Sequence, residues 1–104
     1  MRGFTISIRA ALDLARAEER FFAYAGPTPQ ALERLEDLLD AVADLEHTPA
    51  TWPVSARHPG TRERVVSRCK IYYDVIPDTG DNATAGDVTI LHVRLPGQEE
   101  PDAV

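Results

Sequence analysis

The stretch Gly26-Pro27-Thr28-Pro29 constrains this chain more than any other. Gly followed by Pro ends a helix, because Gly accepts the left-handed cap and Pro cannot continue the ladder. Thr28 and Pro29 then open a second helix. A threonine hydroxyl accepts one of the free backbone N–H groups of the first turn, and proline's missing donor costs nothing at the first helical position. Leu32, Leu35, Leu38, Leu39, Val42 and Leu45 follow as an apolar stripe at helical spacing, with acids on the other side. Upstream, residues 10–24 are rich in Ala, Leu, Glu and Arg, all good helix formers, with Leu14, Phe21 and Phe22 near one face. Two helices joined so tightly form an antiparallel hairpin. Its apolar side needs a second layer.

The rest of the chain supplies that layer. Phe4-Thr5-Ile6-Ser7-Ile8-Arg9 alternates apolar and polar and reads as a half-buried strand. His47-Thr48-Pro49 closes the second helix, and 49–60 is irregular, with Trp52 as a packing anchor. Three β-favouring runs follow at 62–66, 71–76 and 88–93, the first and last alternating. Between the last two lies a polar loop, 77–87, carrying Asp78, Asp81 and Asp87. The expected fold is therefore α+β, in the order β-α-α-β-β-β, with the N-terminal helix hairpin packed on one face of a small antiparallel-rich sheet. The 104 residues are read as one domain over 1–98 and a flexible C-terminal tail over 99–104.

Composition narrows the function classes. No apolar run is long enough to span a membrane, and Met1-Arg2-Gly3-Phe4 does not open a signal peptide. One cysteine, Cys69, permits no internal disulfide and argues against a Cys-based zinc site, which fits a cytoplasmic location. Beside Lys70 its thiol is readable either as activated or, more simply, as packed. A net charge of −6 argues against general nucleic-acid binding. The charge is segregated, however. Arg57, Arg62, Arg64, Arg68 and Lys70 stand against Glu63 alone over 57–70, whereas Glu33, Glu36, Asp37, Asp40, Asp44 and Glu46 stand against Arg34 alone over 33–46.

Strict alternation places Arg62 with Arg64, and His92 with Arg94, on common faces of their strands. A face presenting Arg62, Arg64, His92 and Arg94 would attract an anion. Solvated Arg and Lys on the open face of an antiparallel sheet are the ordinary reading. A surface for an acidic partner segment is the second, and an RNA-cleaving site the third. Metal-free cleavage needs a base, cations around the phosphate and an acid for the leaving oxygen. His47 and His58 do not suggest a metal site, and no cofactor motif is present.

Taken in order, Ala11-Leu12-Asp13-Leu14, Gly26-Pro27, the spaced Leu38, Val42 and Leu45 before Pro49, Gly60-Thr61-Arg62, Ile71-Tyr72-Tyr73 and Val88-Thr89-Ile90-Leu91 resemble the ParE/RelE superfamily of type II toxin–antitoxin (plasmid stabilisation) toxins. The likeness runs from about Phe4 to Gln98 and is nearer ParE, on the strand Ile71-Tyr72-Tyr73-Asp74-Val75. It implies the RelE/ParE-like fold and a toxin held by a cognate antitoxin. The ParE branch implies inhibition of DNA gyrase; the RelE branch implies ribosome-dependent, metal-independent cleavage of mRNA. A non-toxic antitoxin-binding or co-repressor relative is the third class. The resemblance implies partner binding through Arg62, Arg64, Arg68, Tyr73 and Arg94, with Arg62, Arg64, His92 and Arg94 as the catalytic set were the chain a nuclease. It leaves homodimerisation open, and has operator DNA reached only through the antitoxin. The chain departs from the family in its acidity, in the length of 77–87 and in ending its last strand with Leu95-Pro96-Gly97.

Overall fold

The computed structural model describes residues 2–104. The chain runs β1 (Phe4–Ile6), α1 (Ile8–Phe22), α2 (Pro29–Asp44), β2 (Arg62–Val66), β3 (Cys69–Ile76) and β4 (Asp87–Arg94). The strands form one sheet in the order β1-β4-β3-β2. β1 lies parallel to β4, and the other pairings are antiparallel. The α+β order is as the sequence implies.

β1 is shorter than the alternating run because Ser7 leaves the strand to cap α1. Its hydroxyl accepts from Ala10 N–H at 3.0 Å, so the helix begins at Ile8. At the hairpin, Gly26 has φ +72° and Thr28 Oγ1 accepts from Ala31 N–H. Leu38, Val42 and Leu45 of the apolar stripe are buried with Ala41, while Leu32 and Leu39 remain 41 % and 44 % exposed. Ala10 and Ala17 let α1 sit close to the sheet. The two helices cover Ile71, Tyr73 and Val75 of β3 and Val88, Ile90 and Val93 of β4.

Those last three residues are not in strict alternation, and the reason decides where the site residues lie. Tyr73 pairs with Ile90 but Tyr72 pairs with His92, so Leu91 is an extra residue opposite the Tyr72–Tyr73 step. This β-bulge slips the register by one, which transfers every following side chain of β4 to the other face. Val93 and Leu95 thereby stay in the core, and His92 leaves the side of Val88 and Ile90.

The segment before β2 is not free. Val54 bridges Arg62, Glu63 N–H donates to the Pro53 carbonyl and Ser55 N–H to that of Thr61, which folds 53–61 back beside β2. Arg2 ties the N-terminus to two distant places, donating to the carbonyls of Glu46, Asn82 and Ala85. The loop between β3 and β4 closes at a narrow neck. Gly86 N–H donates to the Pro77 carbonyl at 2.8 Å, and a Cβ there would lie 2.1 Å from the Ile76 oxygen, so only glycine fits.

Candidate functional site

Directly paired residues on neighbouring strands share a face. Arg62 pairs with Tyr73 and Arg64 with Ile71, which puts both arginines on the helix side. Tyr72 pairs with His92 and Lys70 with Arg94, which puts those four on the opposite side. The single face expected to carry Arg62, Arg64, His92 and Arg94 does not exist. The cause is the bulge: without Leu91 as an extra residue, His92 would stand opposite Ile71, on Arg64's side.

On the helix side, each arginine is held by its own chain. Arg62 Nε and Nη2 donate to Asp78 at 2.7 and 3.0 Å, and Nη1 donates to the Trp52 carbonyl. The hydrogen-bonded guanidinium holds the Asp78 carboxyl below its ordinary range, and the carboxylate raises Arg62 in turn. Arg64 Nη1 donates to the Ala41 carbonyl near the C-terminal end of α2 at 3.0 Å, where the helix dipole favours a cation. Its guanidinium also lies 4.2 Å above the Trp52 ring. Tyr73, expected to meet a partner, is fully buried and donates to the Pro49 carbonyl at 2.7 Å. Burial pushes its phenol up, so it stays protonated. Cys69 is also fully buried, and burial pushes its thiol up, which makes it a packed thiol.

Arg68 is the expected residue that stands most freely. It is exposed in the two-residue turn between β2 and β3, where Ser67 and Arg68 have φ of 49° and 64°. That is the left-handed pair of a type I′ hairpin, usually Asn-Gly.

The other side of the sheet holds a different arrangement. After β4 the chain turns at Leu95–Gln98, with Gly97 at φ +83°, and returns across this side. The segment set apart from the sequence as a flexible tail brings Glu100 against the strands. Its Oε2 lies 3.2 Å from Arg94 Nη1 and 3.5 Å from Lys70 Nζ. Its Oε1 accepts from the Tyr72 hydroxyl and lies 3.7 Å from His58 Nε2. The Tyr72 hydrogen bond, with Lys70 and Arg94, holds the Glu100 carboxyl below its ordinary value. Burial and the same carboxylate push the Tyr72 phenol up. His58 stands edge-on to Tyr72, and Tyr72 stacks on His92 with centroids 5.8 Å apart.

His92 is anchored from behind by Asp13 of α1, a residue without an expected role beyond the resemblance. Asp13 Oδ2 lies 2.6 Å from His92 Nδ1 and accepts from Val93 N–H at 3.0 Å. An ionised carboxylate only accepts, so Nδ1 carries the proton. Because β1 ends at Ile6, the edge of β4 beyond Ile90 lacks a strand neighbour, and Asp13 takes the backbone donor left there. Its position one helical turn into α1, in an otherwise ordinary Ala-Leu-Asp-Leu run, hides that task in the sequence. Sequence reasoning also missed Glu100 and His58, which sit in polar segments with no motif.

A shallow cleft of about 570 Å³ at the far end, lined by Arg2, Glu46, His47, Ala83, Ala85, Gly86 and Asp87, is separate from both groups. Among the described residues, no three His, Cys, Asp or Glu side chains are grouped to hold a metal ion, and no helix is long and apolar enough to cross a membrane.

No protein-family model matches the chain, and no curated protein matches it. Among solved structures it is similar to a chain of the chromosomal ParDE TA system from P. aeruginosa, with 19 % identity, 92 % of this chain and 97 % of that chain covered, and a TM-score of 0.70. At that identity the likeness is one of backbone architecture: this chain has the fold of a ParDE-system chain.

Proposed function

We propose that this chain is the ParE-like toxin component of a type II toxin–antitoxin system, which inhibits DNA gyrase through protein contacts and is neutralised by a cognate antitoxin. The observation that carries this reading is the fold likeness, which extends over 92 % of the chain. Surface apolarity supports the antitoxin half of it. Ile8 and Leu12 on α1, Leu32 and Leu39 on α2, and Val65 on the outer strand are left exposed, as suits a chain that a partner segment covers. The choice of protein contacts over RNA cleavage is supported by the separation of Arg62 and Arg64 from His92 and Arg94 onto opposite sides of the sheet. Operator DNA, on this reading, is met through the antitoxin, and the protein works in the cytoplasm.

Induced expression in bacteria, without the neighbouring reading frame, tests the proposal. Growth arrest with relaxed or cleaved plasmid DNA is the expected outcome, relieved by co-expression of an adjacent small frame that encodes the antitoxin. Arrest with cut transcripts and intact supercoiling would replace gyrase by the ribosome. Normal growth would overturn the toxin reading and leave an antitoxin-binding or co-repressor relative.

A further inference from the structure

Four donors from three separate segments converge on one carboxylate on the tail-covered side of the sheet. His58 comes from the segment folded beside β2, Lys70 and Tyr72 from β3, and Arg94 from β4. The occupant, Glu100, fits this surrounding incompletely. His58 is 8 % exposed and its Nε2 has no hydrogen-bond partner among the described residues, although it faces Glu100 Oε1 at 3.7 Å. A buried, unsatisfied ring nitrogen costs free energy unless something else normally reaches it. A carboxylate has two oxygens in one plane. Oε2 serves Lys70 and Arg94 and Oε1 serves Tyr72, and held by those three the carboxylate stops 3.7 Å short of His58. A tetrahedral anion in the same place presents further oxygens and would meet His58 as well. The formal charges agree: Lys70 and Arg94 face Glu63 and Glu100, so withdrawal of Glu100 leaves the group one positive charge in excess.

We propose that this side of the sheet is a binding site for a phosphate group, built by His58, Lys70, Tyr72 and Arg94, and that Glu100 fills it until a phosphate displaces the tail. The proposal is independent of the gyrase reading. Glu100 lies beyond the last strand and is tethered to Arg94 by a short turn, so it acts as a built-in competitor at high local concentration. External phosphate therefore binds the native chain weakly, and removing the competitor exposes the site's intrinsic affinity.

The test is a titration of the full chain and of Glu100→Ala with inorganic phosphate at constant ionic strength, by calorimetry and by the NMR shifts of the His58 ring. Glu100→Ala is expected to bind about threefold to fivefold more tightly than the native chain, since a tethered competitor is removed. Adding Arg94→Gln to Glu100→Ala should abolish that gain, with the circular dichroism spectrum unchanged. A parallel titration with a nucleoside 5′-monophosphate distinguishes the source. Equal affinity points to the free anion, and tighter binding with the nucleoside points to a nucleotide phosphate. Equal binding of phosphate by the native chain and Glu100→Ala would overturn the proposal, as would a gain that survives Arg94→Gln.

Discussion

The two sides of the sheet use their cations in opposite ways. On the helix side, Arg62 and Arg64 are bound to backbone carbonyls of Trp52 and Ala41 and, for Arg62, to Asp78. Ala41 is part of α2 and Trp52 packs against the core, so these two cannot withdraw without opening the domain, while Asp78 adds a contact from the exposed loop after β3. On the other side, Lys70 and Arg94 meet a glutamate from the end of the chain, which can withdraw without disturbing any strand. Cation count alone would rank the two sides as equal. What separates them is whether the counter-group is part of the architecture or only rests on it.

The sharpest way to break this contrast is to insert one alanine between Leu91 and His92. A second extra residue slips the register once more, so that either Val93 and Leu95 turn out of the core or the start of β4 does. Losing two such side chains to solvent forfeits roughly 3–6 kcal/mol, a large part of the stability of a small domain. The insertion variant should show no cooperative transition in urea. A native-like transition would mean that the two sides are not fixed by the bulge.

Next in size is Asp13→Ala, which leaves the Val93 N–H and the His92 ring without their acceptor inside the protein. A loss of about 1–3 kcal/mol is expected from denaturant unfolding. Asp13→Asn, which keeps an acceptor, should recover part of it. If Asp13→Ala were neutral, α1 would not be holding the edge of β4, and the position of His92 would need another cause.

A smaller effect, of opposite sign, is expected at the hairpin. Arg68 holds φ 64°, a region that costs a residue with a Cβ about 1 kcal/mol, so Arg68→Gly should stabilise the chain by up to that amount. It should leave both sides of the sheet unchanged by NMR. Destabilisation would show that the Arg68 side chain has a partner within the fold.

The smallest effect compares the two carboxylates directly. Asp78 and Glu100 both have folded pKa values below their ordinary ones. The stability they contribute is therefore fully present above the unfolded values, near about pH 4–5, and is lost as pH falls through the depressed folded values. Both groups are partly solvated, so each is worth less than about 1 kcal/mol. The stability gap between the native chain and Asp78→Asn, or Glu100→Gln, should close between about pH 5 and pH 2. A gap that persists at low pH would assign the effect to packing instead of charge.

Much of the architecture was legible because its signals are local. Gly26-Pro27 and Thr28-Pro29 terminate and start helices by backbone chemistry alone, and each β-rich run has one marked end, near Gly60, at Pro77 and at Asp87 respectively. The bulge is different. Leu91 sits in a run of β-favouring residues without a Gly or Pro to mark it, and its extra count appears only against β3. A period-two reading of Val88 to Arg94 was sound residue by residue and wrong by one position. That single position sent His92 and Arg94 to the far side from Arg62 and Arg64. The positions of Asp13, His58 and Glu100 were not legible for a related reason. Each acts on a strand that is distant in sequence, and none belongs to a pattern of its own segment. Trp52 and the buried stripe of α2 needed only their own neighbourhood, and the sequence placed them well.

The parallel pairing of β1 with β4 carries a consequence for how the molecule is made. Gly3 and Asp87, 84 positions apart, are bonded at the margin of that pairing, and Phe4 lies opposite Val88. Synthesis proceeds from the N-terminus at about 5–20 residues per second, so the first strand waits for the last before it has anything to pair with. Both helices can form early, but the sheet cannot close on a nascent chain that has not yet exposed β4. Long-range pairing of this kind also slows the closing step itself, towards milliseconds or longer. A truncated translation product that stops short of Val88 therefore carries both helices and β2 and β3 in its sequence but lacks the strand that joins β3 to β1.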